Sequence, residues 1–426
     1  MDYKNLKKFF ASKLGIFLIF YLSILIGFYF DENALGGAEG DFFHHYRFSQ
    51  KFNVNFLETF NKFGNKGMET RNSPIFWIII AFLNKILSIE IIRILNSLVS
   101  LFIGFCLYNC LKIKFKNQNE ITLILLASTV FLSPTIRSLS IWPYNQIWGL
   151  LLFILSIYYF LRFKENIDNN IKFKFSLKLL FFLILSSYIH PSFVIFILYY
   201  VFHLYKAFRL SKYSFYLIIF CLLLSIPFFL YVFSTNVLHS FYGAEGIDIN
   251  VSQSLNLSNK IIIISSMFLF FILPVINISR TMTEIKLIKF EVLLIILFLA
   301  FINIYYFNFP YFESGGFGGG FFHKLSNKLF ENNFLLYFVF IVSLITIFGI
   351  FAKKVDNYIL LIALVLSNPQ FTIYNKYFDP LIFILLLTLF EFDIKKHFFE
   401  KKYKFFQLFS LFFLFLMMSL FKSYVL

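Results

Sequence analysis

The sequence predicts an all-α fold, a polytopic transmembrane helical bundle of about 13 spans with an interfacial helix at about 74–87 in the first outer loop. Three observations carry that prediction. Mean hydropathy is +0.78. Hydrophobic residues make up 59% of the chain and charged residues only 14%, against roughly 25% charged in an ordinary soluble domain. Lys and Arg fall in short clusters between apolar runs, as cytoplasmic loops do. A chain this long and this apolar needs the lipid bilayer as its solvent. Its formal charge of +16 is therefore read as loop charge, and no nucleic-acid partner is expected.

The first apolar run, 14–30, follows Lys4, Lys7, Lys8 and Lys13. No small-residue cleavage site follows it, so it is read as an uncleaved span rather than a signal peptide. Further candidate spans lie at 93–111, 121–134, 146–161, 177–189, 192–205, 214–233, 260–279, 290–306, 333–352, 357–368, 378–391 and 405–421. The run 74–87 is left out of that set. Its length, with Asn84 and Lys85 near the end, suits an interfacial or re-entrant helix. Charge supports the omission: with the N-terminus inside, the inner loops and the adjoining Lys178 carry 25 of the 38 Lys and Arg residues. Letting 74–87 cross would turn every later basic loop outward. The whole chain, 1–426, then reads as a single integral membrane domain, with long outer loops at 31–92, 234–259 and 307–332. The wealth of Phe, Lys, Asn and Ile resembles the codon bias of an AT-rich genome, which points to a bacterial inner (plasma) membrane with the N-terminus cytoplasmic. Cys106, Cys110 and Cys221 lie inside apolar runs and imply neither disulfide nor metal framework.

The unusual polar chemistry sits in the outer segments. The first loop opens Asp31-Glu32 and continues from Gly36 to Gly40 into Asp41-Phe42-Phe43-His44-His45-Tyr46-Arg47. Asp41 is the best candidate for a general base, because a carboxylate ionised at neutral pH can accept a hydroxyl proton. His44, three residues on, shares its face if the stretch is helical; a solvated helix-capping turn is the plainer alternative. Arg71 precedes Ser73-Pro74-Ile75-Phe76-Trp77 and suits a lipid phosphate, or is an ordinary interfacial arginine beside Trp77. Arg137 is the only basic residue of the turn 135–145. Trp142 and Tyr144 there suit stacking on a sugar or anchoring at the interface. His190-Pro191 parts two short runs, with Pro191 ending the first helix. In the late turn Lys376 is a candidate phosphate ligand and Asp379 its holder; a capping turn reads equally well. The Gly315–Gly320 run between Glu313 and His323 suits a lid but is no phosphate loop. Gly37-Ala38-Glu39-Gly40 recurs at 243–246. No cofactor is certain. A divalent cation is possible at Glu39, Asp41, His44 and His45, although no HExxH or CxxC is present.

Four features together resemble the polytopic membrane glycosyltransferases of the GT-C type, loosely and over about the first 210 residues. They are the acid Asp41 in a long first outer loop, the Ser73–Trp77 interfacial helix that resembles a Pro-Pro-Leu-Tyr helix before the second span, Leu132-Ser133-Pro134 with Arg137 after the third, and His190-Pro191 between short paired spans. The resemblance implies an inverting transfer of a sugar from a polyprenyl-phosphate-linked donor to a glycan or lipid-linked acceptor on the outer face, in cell-surface polysaccharide assembly. Asp41 would deprotonate the acceptor hydroxyl, and Arg71, Arg137 or Lys376 would stabilise the departing phosphate. Two other classes compete. A repeat-unit polymerase of the O-antigen kind would need Arg71 and Arg137 but not Asp41. A lipid-linked sugar flippase or transporter would place its ionisable groups deep in the spans, whereas here they gather at the outer surface.

Overall fold

The computed structural model describes residues 13–35, 37–63, 68, 73–234, 256–309, 318–351, 354–368, 373–392, 399 and 402–425. Among them it is all-α, with 19 α-helices and no strand. Two compact units form, one from residues 1–241 with 409–426, the other from 242–408.

The first unit contains α1 (Lys13–Tyr29), α2 (Ala38–Val54), α3 (Phe56–Lys62), α4 (Ile75–Asn84), α5 (Ile89–Lys114), α6 (Glu120–Ser128), α7 (Pro134–Ile141), α8 (Asn145–Glu165), α9 (Asn169–Ile189), α10 (Ile197–Phe208) and α11 (Lys212–Ser234). Local chemistry sets several starts. Ser88, Asn119, Ser133 and Asp168 each cap the helix that follows, accepting from the backbone N–H of Ile91, Ile121, Ile136 and Asn170, which satisfies donors that a helix start leaves open. Pro134 at the first position of α7 cannot continue the preceding turn, and the chain bends by 67° there.

The helices of this unit alternate between two ends of different character. At one end Lys112 pairs with Glu120 at 3.1 Å and Lys116 with Glu165 at 2.6 Å, and Tyr213 donates to Asn170 at 2.7 Å. The basic clusters 112–116, 162–174 and 206–212 gather here. At the other end the last turn of α1, the start of α5, the whole of α7 and the start of α8 meet. Asn96 Nδ2 donates to the carbonyls of Leu139 and Ser140, both at 2.8 Å. Trp148 Nε1 donates to Asn96 Oδ1 at 2.8 Å, and Asn145 Nδ2 to the Ile189 carbonyl at 2.9 Å. α9 returns along α8, with Tyr159 stacked on Phe182 and Ser186 donating to the Gly149 carbonyl.

The second unit contains α12 (Leu257–Ile272), α13 (Ile278–Lys286), α14 (Phe290–Tyr305), α15 (Gly320–Phe330), α16 (Phe334–Phe351), α17 (Val355–Leu366) and α18 (Leu381–Thr388); α19 (Lys402–Val425) ends the chain. Ile262, Ile296, Ala300, Leu336, Phe340 and Leu344 from α12, α14 and α16 form its core.

Among the described residues six helices are long and apolar enough to cross a membrane, or eight if each of two sharply bent pairs is one span. The thirteen spans expected from the sequence are not all of that kind. α18 has eight residues, every one buried, and α12 has 16, about 24 Å at 1.5 Å per residue against a hydrocarbon core of about 30 Å. Apolar run length cannot separate a buried core helix from a span. The run 74–87 does form a short helix, α4, of ten residues, about 15 Å long and too short to cross.

Candidate functional site

The polar end of the first unit is organised by two arginines and the two acids that end α1. Asp31 has φ +49, a left-handed turn that stops the helix and sends Asp31 and Glu32 in different directions. Glu32 turns inward. Its Oε1 accepts from Arg137 Nε at 2.6 Å, its Oε2 accepts from Nη2, and both side chains are more than nine-tenths buried. Arg137 also donates from Nη1 to Ser23 Oγ and from Nη2 to the Ser23 carbonyl, each at 2.9 Å. This is a bidentate fork on a planar carboxylate, and among the described residues it leaves one of the five guanidinium N–H groups without an acceptor. Asp31 turns outward and accepts from Arg93 Nη2 at 2.5 Å. Arg93 donates to the Ile141 carbonyl at 3.2 Å and lies over Trp142, 3.9 Å from the ring centroid.

Gly27 makes the buried pair geometrically possible. A Cβ there would stand 2.3 Å from Glu32 Oε2 and 3.0 Å from Arg137 Nη2. The pair forms one wall of a cleft of about 380 Å³ whose other walls are Ile26, Gly27, Phe30 and Leu420. Ile26 and Phe30 are mostly exposed. A charged pair thus sits at the head of an otherwise apolar cleft.

Beside this pair lies an aromatic cluster. The stretch from Ala38 is helical, so Asp41, His44 and His45 do lie close on α2. His45 points inward and stacks on Trp77 of α4 at 5.4 Å, with Tyr144 at 5.7 Å. Phe42 and Phe43 pack on Trp142. Among the described residues the indole nitrogens of Trp77 and Trp142 and the Oδ1 of Asn145 are buried without a hydrogen-bond partner, a costly state unless a ligand or water supplies one. Tyr46 is the titrating phenol of this helix; burial pushes its pKa up, partly opposed by the Asn84 hydrogen bond.

The structure therefore brings together Arg137, Trp142 and Tyr144, with Asp41 on the adjoining helix. Asp41 is half-exposed in the first turn of α2; the acid on Arg137 is Glu32. His44 is exposed and bonded through Nδ1 to Arg47 Nη2 at 2.8 Å, while its neighbour His45 is the inward ring. His190 is buried at the end of α9, its Cβ 2.9 Å from where a Cβ on Gly149 would be, one helical turn from Tyr144. Trp142 has one face covered by Arg93. Lys376 belongs to the second unit, where its ammonium lies 5.2 Å from the ring of Tyr374 and 5.8 Å from that of Tyr377. Arg71, Glu313, the Gly243–Gly246 repeat and Gly315–Phe317 lie outside the described residues. Among the described residues no group of three His, Cys, Asp or Glu could hold a metal ion.

Sequence reasoning passed over Arg93 and gave Glu32 no role. Arg93 had a signal, a single cation among the apolar residues 91–95, and Glu32 follows the first span directly. His45 stood four residues from Asp41, on the same face of a helix. No protein-family model, curated protein or solved structure matches this chain.

Proposed function

We propose that this chain is a multi-pass bacterial inner-membrane glycosyltransferase of the GT-C type that moves a sugar from a polyprenyl-phosphate-linked donor to a glycan or lipid-linked acceptor. The observation that carries the reading is the segregation within the first unit. Acids, arginines and aromatic rings meet at one end, and the lysine-rich turns collect at the other. Applied to those lysine-rich turns, the positive-inside rule sets them in the cytoplasm and the candidate site on the outer face, with α4 along the interface.

In this reading the cleft beside Gly27 receives the head of the lipid-linked donor, its apolar walls taking the first isoprene units. Arg137, held in place by Glu32 and Ser23, presents its remaining N–H to a phosphate oxygen and offsets the charge that develops as the sugar leaves. Both Glu32 oxygens are occupied by the guanidinium, so Glu32 positions Arg137 rather than taking a proton. Asp41 takes the proton of the acceptor hydroxyl as that oxygen attacks the anomeric carbon and the phosphate departs with its bonding electrons. Trp77, Tyr144 and His45 offer ring faces and a buried N–H to the sugar.

The test is turnover of a polyprenyl-phosphate sugar by purified protein in lipid. Asp41→Asn should lower transfer by about 10²–10⁴-fold while the protein keeps its melting temperature; unchanged transfer would remove the carboxylate base from the mechanism. A polymerase is the second reading, favoured by two arginines at one end. It predicts full activity in Asp41→Asn and loss in Arg137→Lys, which keeps the charge but breaks the bidentate fork.

A further inference from the structure

The lysine-rich end of the first unit carries more charge than its own acids can offset. Over residues 112–120, 162–178 and 206–213 the chain has eleven Lys and Arg against three Asp and Glu, a net +8 that is half of its formal +16. Those segments form one surface. Lys116 pairs with Glu165 across the first two, Phe163 packs on Phe208 with ring centroids 6.0 Å apart, and Phe173 packs on Tyr213 at 5.3 Å. All three acids are already engaged. Glu120 holds Lys112, Glu165 holds Lys116 and Arg162, and Asp168 caps α9.

This surface stands at the ends of apolar helices. Four of the six described helices with the length to cross a membrane end or begin here, at Lys114, Glu165, Phe208 and Lys212. Two of its loops also carry bare aliphatic tips. Ile167 and Leu210 are 92% and 93% exposed, above every other large hydrophobic side chain among the described residues. Arg209, with φ +47, ends α10 in the left-handed region, and Leu210 follows outside the helix. The ammonium groups of Lys164, Lys172, Lys178, Lys206 and Lys212 lie 4.1–5.9 Å from the ring centroids of Phe160, Phe163, Tyr159, Phe202 and Tyr213. Rings at the ends of spans, with lysines laid over them, mark the headgroup level of a bilayer. Aliphatic tips at that level reach the boundary between headgroups and acyl chains.

We infer that this surface binds anionic phospholipid headgroups. A phosphodiester brings the negative charge that the patch lacks, and its acyl chains bring the apolar contact that Ile167 and Leu210 lack in water. Each Lys or Arg close to an anionic membrane surface adds attraction that falls off within a Debye length. An acidic protein would meet the charge alone, with no use for aliphatic tips at the ends of spans. Lipid binding here requires only that these helices cross a bilayer, in either direction and whatever reaction the first unit performs.

The test compares lipids without turnover, so that its failure is separate from failure of the transferase reading. The full chain is reconstituted in phosphatidylcholine vesicles at a fixed lipid-to-protein ratio. Electron spin resonance then reads the share of spin-labelled phosphatidylglycerol, or of spin-labelled phosphatidylcholine, that the protein immobilises. Wild type should hold phosphatidylglycerol at least about threefold more strongly than phosphatidylcholine at low salt. That preference should shrink towards one at about 1 M salt, where the Debye length is about 3 Å. The triple variant Lys174→Gln, Arg209→Gln, Lys212→Gln removes three exposed cations of the patch and should bring the preference below about 1.5-fold. A second triple variant, Lys51→Gln, Lys62→Gln, Lys85→Gln, removes three exposed lysines outside the patch and should keep it. Equal loss in the two triple variants would make the preference a matter of net charge and overturn the inference. No preference in wild type would also overturn it and leave the surface to an acidic protein.

Discussion

The Glu32–Arg137 pair allows a quantitative test of how the polar end is built. Its side chains are 6% (Glu32) and 8% (Arg137) exposed, so each charge has lost nearly all its water. Removing one partner of such a pair strands the other, at about 3–5 kcal/mol, whereas replacing both by groups of similar volume is often neutral. Glu32→Gln keeps the shape but turns an amide towards a guanidinium. Arg137→Met removes four hydrogen bonds, two of them to Ser23, and leaves a carboxylate facing an apolar cleft. Each single change should cost about 3 kcal/mol. The double variant should also cost about 3 kcal/mol rather than the sum, a coupling of about 3 kcal/mol. Thermal unfolding in detergent, followed by tryptophan fluorescence at one scan rate, should show each single variant melting about 3–6 °C lower and the double no lower than the worse single. Single-variant losses that add to within about 0.5 kcal/mol in the double would refute the pairing, and with it the claim that Glu32 fixes the orientation of Arg137.

Two further perturbations probe other parts of the structure. Gly27→Ala drives a methyl group into Glu32 Oε2 and Arg137 Nη2 and should cost about 1–3 kcal/mol as overpacking; Gly40→Ala, with nothing within 4 Å, should be neutral or slightly stabilising by the same melt, and equal effects at the two sites would undo the assignment. In the second unit burial, reinforced by Lys324, pushes the His323 pKa down to about 4 from 6.5, so the unfolded chain binds the proton more readily than the folded one. The stability this contributes is complete above pH 6.5 and is lost as pH falls from 6.5 towards 4, by up to about 3 kcal/mol at 1.36 kcal/mol per pKa unit. Melting temperature followed over that range should fall more steeply in wild type than in His323→Leu, and parallel slopes would mean that His323 is not buried as the neutral ring.

What the sequence made legible, and what it hid, follows from the range of the interactions. Helical character and the short helix at 75–84 depend on runs and caps within about ten residues, and both were readable. The number of crossings was not, because α18 and α5 both read as apolar runs although one is wholly core and the other has the length to span. Arg137 was identifiable as the single cation of its turn. Its partner was not, because Glu32 lies 105 residues away in sequence, and a spacing rule reaches only three or four residues along one helix. Asp41 stood out as an acid in the first outer loop with His44 three residues on, yet the structure turns His44 out to Arg47 and the neighbouring His45 in to Trp77. In sequence Asp31 and Glu32 are simply adjacent acids at the end of the first span. A left-handed φ at Asp31 splits them, giving one acid to Arg93 at the start of α5 and the other to Arg137 on α7. That one turn ties the end of the first helix to two elements that no local pattern connects, and it makes Arg137 a fixed donor at the cleft rather than a mobile surface cation. A lipid phosphate entering there would meet charge already oriented, which is the condition for stabilising a departing phosphate without reorganisation.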